Sequence, residues 1–326
     1  AMSTIEAAPS RFLTGVFEPV HDELDVQNLS VTGTIPAALD GVYLRNGSNP
    51  QFGPLGAYHW FDGDGMVHGV YLSNGTASYR NRWVETPGLR HEREAGNALF
   101  GGIMNFQLPP AELIAECGVM KNAANTNIVR HAGKILALWE GGFPSELTWN
   151  LDTVGLWDMG GRLEGAFTAH PKWDAKTGEL MFFGYTGLQK PFLRYHVADR
   201  TGALVHSCEI EILHVVMMHD FVTTERFSLI WDMPAVVELE YMMSGKGMWQ
   251  PDFGARIGVL PRYGTNADVR WFEIDVCYVF HFLNAWETDG RIVVIGCRAD
   301  TLGVAFADDN RVGAEDNVGM LYRLSL

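Results

Sequence analysis

The chain has 326 residues, 47% of them hydrophobic, and 36 glycines, enough to bury a sizeable core in one large domain or two. Its 24 Lys and Arg stand against 39 Asp and Glu, a formal charge of −15. An acidic surface repels phosphate backbones and anionic headgroups, which argues against a nucleic-acid partner and for a neutral or apolar one. The four cysteines (Cys117, Cys208, Cys277, Cys297) form no C-x-x-C pair and read as small core residues of a reducing compartment. No basic segment followed by an apolar stretch opens the chain. No run reaches the roughly 18–20 apolar residues that span a bilayer, so a cytoplasmic location is expected.

In chain order, the elements are short strands punctuated by tight turns. Asp62-Gly63-Asp64-Gly65 reads as a double turn, with glycine at positive φ and aspartate capping neighbouring amides. It is too short for a calcium loop and lacks the distal glutamate. Asn74-Gly75 marks a hairpin turn. Pro109–Cys117, with proline early and Ala, Glu and Leu after it, is the one segment that reads as helical. Ala132-Gly133 marks the next turn. Gly178–Thr186, Leu204–Ile212, Arg226–Met233 and Arg291–Cys297 are β-rich runs of strand length. Lys176-Thr177-Gly178, Arg200-Thr201-Gly202 and Asp289-Gly290 are turns among them. The Thr-Gly turns at 177–178 and 201–202 are spaced like the hairpins of one propeller blade. The class is all-β and antiparallel; on this pattern a propeller, a sandwich pair and a barrel all remain open.

None of the eleven histidines falls in an H-E-x-x-H or similar short metal motif. Three share a setting, an apolar or aromatic stretch of strand character: FTAHPK at 167–172, MMHDF at 217–221 and YVFHFLN at 278–284. A lone histidine there is usually a hydrogen-bonded core residue. His170, His219 and His281, however, lie 49 and 62 residues apart. That is near one blade each, a spacing that could bring three imidazoles to one axis. His21, His59, His68, His91, His131, His196, His206 and His214 are read as structural.

From about Leu39 onward the chain resembles the carotenoid cleavage oxygenase family. The blocks that carry the likeness run in order: GVYLRNGSNPQFGPLGAYHWFDGDGMVHG (41–69), SYRNRWVET (78–86), NAANTNIV (122–129), FTAHPKWD (167–174), VVMMHDFVTTE (215–225) and YVFHFLNAWE (278–287). The resemblance implies an antiparallel β-propeller of seven blades under a cap of loops and helix. This chain, 1–326, would cover about five blades as a single domain lacking its C-terminal blades. It also implies Fe²⁺ held on the axis by four histidines, the first three matching His170, His219 and His281. Glu140 matches the first glutamate behind a ligand and would accept the outer ring N–H of His219, fixing its tautomer.

The likeness breaks after His281. The 45 residues that follow hold no histidine for the fourth ligand position. Glu287 and Glu315 stand too close to His281 to take the roles of the family's further glutamates. Residues 320–326 read as a strand without a partner, leaving an exposed sheet edge. A product stopping there is expected to be metal-poor and inactive. Val276 and Phe282 stand where close relatives carry proline.

The implied reaction places both atoms of O₂ across one C=C bond of a carotenoid or apocarotenoid and gives two carbonyl products. Neutral imidazole ligands would leave the ion its full charge and open positions. The protein's share is then positioning in an apolar tunnel, for which Phe106, Trp139, Met217, Phe221 and Phe282 are the candidates, core packing being the competing role for each. Stilbene-cleaving members carry Lys directly before the glutamate, where this chain has Trp139. That favours a polyene. Stilbene cleavage is the alternative reading, and a catalytically inactive truncated binding module the non-enzyme one. Apart from substrate and O₂, the expected partner is a membrane surface touched during substrate uptake.

Overall fold

A computed structural model describes residues 10–186, 190, 192–238, 248–302 and 318–326. Among them the strands form five antiparallel sheets. The first orders β2 (Gly41–Ser48), β3 (Gly65–Ser73) and β4 (Thr76–Trp83), with β1 (Asp25–Val26) outside β4. The second holds β5 (Asn127–His131), β6 (Lys134–Leu138), β7 (Ser145–Leu147) and β8 (Thr153–Leu156). The third holds β9 (Lys172–Trp173), β10 (Leu180–Tyr185), β11 (Phe192–Ala198) and β12 (Leu204–Glu211). The fourth holds β13 (Val222–Thr223), β14 (Phe227–Asp232), β15 (Ala255–Pro261) and β16 (Arg270–Ile274). The fifth holds β17 (Tyr278–Thr288), β18 (Arg291–Ala299) and β19 (Met320–Ser325). In sheets two to five the spatial order is the chain order, the meander of a propeller blade.

The hairpins form where the turn residues demand. Asn74-Gly75, Ala132-Gly133 and Asp289-Gly290 each place two successive residues at positive φ, as the tight turns that suit the right-handed strand twist require. Polar side chains then lace the first strands of successive sheets together. Asn46 Nδ2 donates to the carbonyls of Ala124 (2.7 Å) and Asn127 (3.0 Å), and Asn127 Nδ2 to that of Ala169 (2.9 Å). Thr168 Oγ1 donates to the His219 carbonyl (3.4 Å), and the Phe282 amide donates to Asp220 Oδ2 (3.0 Å). Each link crosses one sheet boundary, so the five inner edges gather along one axis.

Apolar layers fill the space between sheets. Leu136, Leu138, Phe167 and Phe182 join the second sheet to the third. Phe183, Tyr195, Phe221 and Ile230 join the third to the fourth. Leu229, Trp231, Tyr278 and Val294 join the fourth to the fifth. Within the first of these layers the Phe167, Phe182 and His196 rings stack in series, at 4.1 and 4.8 Å between centroids. His196 is 1% exposed, and neither of its ring nitrogens has a hydrogen-bond partner among the described residues. Burial, with help from Arg194, pushes its pKa down to about 4. The unfolded chain therefore binds a proton at His196 that the folded chain resists. Stability should fall as pH drops from the ordinary histidine value of about 6.5 toward 4. His196→Leu is expected to flatten that slope, read as urea midpoints at pH 7.5 and pH 5; an unchanged slope would count against it.

Four expectations need correction. Pro109–Cys117 is not the main helix: it holds a 3-10 turn at Ala111–Leu113 and one short α-helical segment, α2 (Ile114–Cys117). The longer helix is α1 (Pro87–Ala95), capped by Thr86, whose Oγ1 accepts from the Leu89 amide, with proline in its first turn and Gly96 at φ 75° beyond its end. Its buried face includes Glu92, ion-paired to Lys121 at 2.6 Å, so apolar periodicity could not reveal it. Gly63 sits at φ −70° and Gly65 also lacks positive φ; both are needed for close approach instead. A Cβ at Gly65 would run into the Ala124 carbonyl, and one at Gly63 into Ser48 Oγ. Residues 320–325 are partnered: β19 pairs with β18 from Met320↔Arg298 to Ser325↔Val293. Of the cysteines only Cys277 is buried, and Cys297 is exposed, although all four are free thiols.

Candidate metal centre

Three chain segments deliver the histidines to the axis by different means. His170 precedes β9, its amide donating to Thr168 Oγ1 (3.1 Å), while Thr168 donates its own amide to the Phe183 carbonyl. His219 precedes β13 with φ at 61°, a left-handed conformation uncommon for a residue with a side chain. His281 lies inside β17 where the register with β18 slips between Val279 and Phe282. Such a bulge re-aims a side chain that regular pleating would send elsewhere.

The three imidazoles meet edge to face. Nε2 of His219 lies 3.0 Å from Nε2 of His170 and 3.2 Å from Nε2 of His281. Ring planes are inclined by 67–81°, with centroids 4.6–5.1 Å apart. Behind His219, Glu140 Oε2 accepts from Nδ1 at 2.6 Å. A proton held on Nδ1 by that carboxylate leaves the Nε2 lone pair facing the centre. Burial, then the neighbouring His219 and His281, pushes the His170 pKa down to about 3, and burial likewise lowers that of His281. Burial alone would lower His219 too, but the charge and hydrogen bond of Glu140 outweigh it and the net shift is upward.

This donor set fits a divalent ion. Imidazole–metal bonds of about 2.0–2.1 Å at right angles place two nitrogens about 3 Å apart, the separation found here. A second group of ligand-type side chains among the described residues is His91, Glu116 and Cys117. It joins α1 to α2 through a His91–Glu116 pair at 3.0 Å, with Glu116 mostly solvent-exposed. Histidines read as structural are hydrogen-bonded elsewhere: His68 to Tyr79 Oη (2.7 Å), His131 to the Asp199 carbonyl (2.9 Å) and His206 to the Gly264 carbonyl (2.9 Å).

The nominated tunnel residues scatter. Trp139 is half-buried and lines a cleft with Phe52, Leu55, Tyr58, Phe61 and Phe100. Phe106 is 52% exposed on a loop. Met217 is half-buried, its carbonyl accepting from Tyr278 Oη at 2.8 Å. Phe221 is fully buried and packs edge-on to Phe183 (5.4 Å, 85°), and Phe282 lies against Trp231 (4.5 Å). Both rings pack on aromatic neighbours, Phe221 within the core and Phe282 half-buried beside it. Phe280, which the sequence did not single out, sets its ring 5.5 Å from that of His219 at 77°. Asp220 was missed as well: it is 2% exposed and binds Lys172 Nζ (2.6 Å) beside the histidines. Glu287 takes Thr224 Oγ1 (2.7 Å) and the side chain of Arg226, tying the fourth sheet to the fifth; Glu315 lies outside the described residues.

Blade-like sheets that gather histidines from three successive inner edges define a β-propeller with an axial histidine centre. Residues 17–325 match the family described as "Retinal pigment epithelial membrane protein", and the chain belongs to that family, the carotenoid cleavage oxygenases. It is 39% identical over 313 residues to a carotenoid 9,10(9′,10′)-cleavage dioxygenase of Pisum sativum, covering 90% of this chain and 58% of the pea protein. It is similar to the crystal structure of a Pseudomonas brassicacearum lignostilbene dioxygenase (TM-score 0.87, 32% identity, 98% of this chain and 68% of that one). It is also similar to a cobalt-substituted Synechocystis apocarotenoid oxygenase (TM-score 0.77, 28% identity, 94% and 68%). Solved variants of the Synechocystis enzyme replace a threonine, a tryptophan and the glutamate directly after that tryptophan. The chain spans little more than half the length of the curated plant relatives it matches.

Proposed function

We propose that the protein is a non-haem Fe²⁺ dioxygenase that cleaves a C=C bond of a carotenoid or apocarotenoid into two carbonyl products. His170, His219 and His281 are its metal ligands in this reading, and Glu140 orients His219. The observation that carries it is the meeting of three Nε2 atoms at 3.0–3.2 Å contacts, with a carboxylate behind the middle ring. Bound Fe²⁺ would supply the O₂ chemistry. The chain's residues supply three donors without negative charge and hold one of them in a single tautomer. Thr126, Trp139 and Glu140 stand at the same mutual spacing as the threonine, tryptophan and glutamate replaced in the Synechocystis variants, which supports the role given to Glu140. We place the fourth ligand and the blades that complete a single propeller domain in the part of the relatives' length that this chain does not span.

Trp139 offers an apolar face and no cation to a phenol oxygen, which supports a polyene substrate. The likeness to the lignostilbene dioxygenase at TM-score 0.87 is what favours the second reading, stilbene cleavage. An apolar polyene arrives from a lipid surface, and we assign exposed Phe106 (52%) and Leu108 (64%) to peripheral contact with one. No helix among the described residues is long and apolar enough to cross a membrane. The four free thiols accord with a reducing compartment, and we place the protein in the cytoplasm. No nucleic-acid partner is proposed for a chain of charge −15.

The test uses the full-length protein loaded with iron and offered an apocarotenoid and a hydroxystilbene in parallel, with carbonyl products quantified. Apocarotenoid cleavage that disappears in His281→Ala is the expected result. Cleavage of the stilbene alone moves the assignment to the second reading. An iron-loaded protein that cleaves neither refutes both and leaves the binding-module reading.

A further inference from the structure

The turn that presents His219 is held from both sides by phenols that the chemistry above does not use. His219 has φ at 61°, a conformation that persists in a residue with a Cβ only where the surroundings overdetermine it. Tyr185, the last residue of β10 in the third sheet, turns its Oη onto two consecutive amides, Met218 N at 3.0 Å and His219 N at 3.1 Å. Tyr278, the first residue of β17 in the fifth sheet, donates its Oη to the Met217 carbonyl at 2.8 Å. The Asp220 amide closes the turn on the Met218 carbonyl at 2.8 Å. Burial raises both phenol pKa values well above the usual tyrosine value, so each keeps its proton.

We infer that Tyr185 is a positioning residue for His219: its oxygen, by accepting both amides, keeps the turn in the left-handed form that aims Nε2 at the axis and Nδ1 at Glu140. A neutral phenol oxygen has two acceptor sites, and both are engaged here. Phenylalanine keeps the ring but offers no acceptor, so two amides lose their partner at once and the turn is free to relax toward negative φ. Relaxation swings the imidazole, because side-chain direction follows φ. The contact with Glu140 at 2.6 Å and the contacts to His170 and His281 then cannot all persist. Tyr278 acts on the same turn through one bond only, so its loss should have the smaller effect. This inference rests on the metal-centre reading.

A matched control lies in the same sheet. Tyr195 on β11 is fully buried, and its Oη pairs with Ser228 Oγ at 2.9 Å across the boundary between the third and fourth sheets, in contact with no axial histidine. Tyr195→Phe thus removes a phenol oxygen that also bridges two sheets. The experiment titrates full-length wild type, Tyr185→Phe, Tyr278→Phe and Tyr195→Phe with Co²⁺, following the visible ligand-field bands, and records Tm for each. Tyr185→Phe is expected to weaken Co²⁺ binding about 10-fold, as loss of groups that orient a ligand does, and to shift the bands. Tyr195→Phe should lower Tm and leave both cobalt readouts at the wild-type values. A Tyr185→Phe protein with wild-type cobalt affinity and spectrum overturns the inference while the metal reading stands. Should Tyr185→Phe fail to fold, Tyr278→Phe carries the same criterion, a smaller loss of affinity with shifted bands. A wild type that takes up no cobalt overturns the metal reading and this inference together.

Discussion

Glu140→Gln should lower metal affinity and turnover about 10–100-fold each, the range typical of groups that orient a metal-binding histidine. The substitution conserves shape. What it removes is the negative charge that accepts the Nδ1 proton of His219 at 2.6 Å. A glutamine can turn its NH₂ toward Nδ1 as readily as its oxygen, and then the ring proton moves to Nε2, where the lone pair is needed. The charge also sets the direction of the His219 pKa. Burial pulls that value down, and the Coulombic and hydrogen-bond effects of Glu140 bring the net shift above the ordinary histidine value. In the metal-free protein a raised pKa stabilises the fold at low pH, and the contribution fades as pH rises through the folded value. For metal uptake the sign is opposite, because the proton competes with the ion. Acidification should therefore expel metal from both proteins, and from Glu140→Gln, which binds more weakly throughout, at the higher pH. Metal analysis of purified full-length protein together with steady-state rates checks the prediction. Equal iron content and equal rates in the two proteins would remove Glu140 from the site.

Asp220→Ala should destabilise the fold by about 3 kcal/mol, the low end for breaking a buried ion pair, since Lys172 keeps a quarter of its side chain in water. Asp220 Oδ1 takes Lys172 Nζ at 2.6 Å and its own neighbour's amide, Phe221 N, at 2.8 Å. Oδ2 takes Phe282 N at 3.0 Å. One carboxylate thus binds the inner strand of the third sheet to that of the fifth, from a position directly after His219 and against the residue directly after His281. Alanine takes the carboxylate away from an ammonium and two amides and lets the sheets that carry the histidines separate. The loss should appear as a lower urea midpoint at unchanged slope. Removing both charges in Lys172→Met with Asp220→Ala should recover part of the stability, because no unpaired charge is left behind. A midpoint in Asp220→Ala equal to that of the wild type would show that the carboxylate carries none of this.

Much of the candidate site was legible in advance, for uneven reasons. The apolar setting and near-blade spacing of His170, His219 and His281 raised the thought of convergence, but their ligand roles, and that of Glu140, came from resemblance to a family. For the candidate substrate-facing residues the sequence offered aromatic and apolar character alone. Phe221 and Phe282 share the aromatic character of tunnel residues, yet their rings pack on Phe183 and Trp231. Composition cannot tell a wall from a core. Helix α1 was missed because its buried face carries Glu92, whose burial is tolerable only beside Lys121, a residue far along the chain.

What the sequence determined by itself is what neighbours along the chain decide. Hairpins fall at Asn74-Gly75, Ala132-Gly133 and Asp289-Gly290, because two successive positive φ values are a local demand that those residues meet. Strands follow between the turns, with alternating burial in β12 and nearly continuous burial in β10. Only the tertiary structure decided that Gly63 and Gly65 serve close approach, that Asp220 bridges three sheets, and that Tyr185 and Tyr278 grip the His219 turn from either side. Each of those depends on residues tens of positions apart becoming adjacent when the sheets gather about one axis. That adjacency is set by the summed packing of whole blades, and no single stretch of sequence contains it.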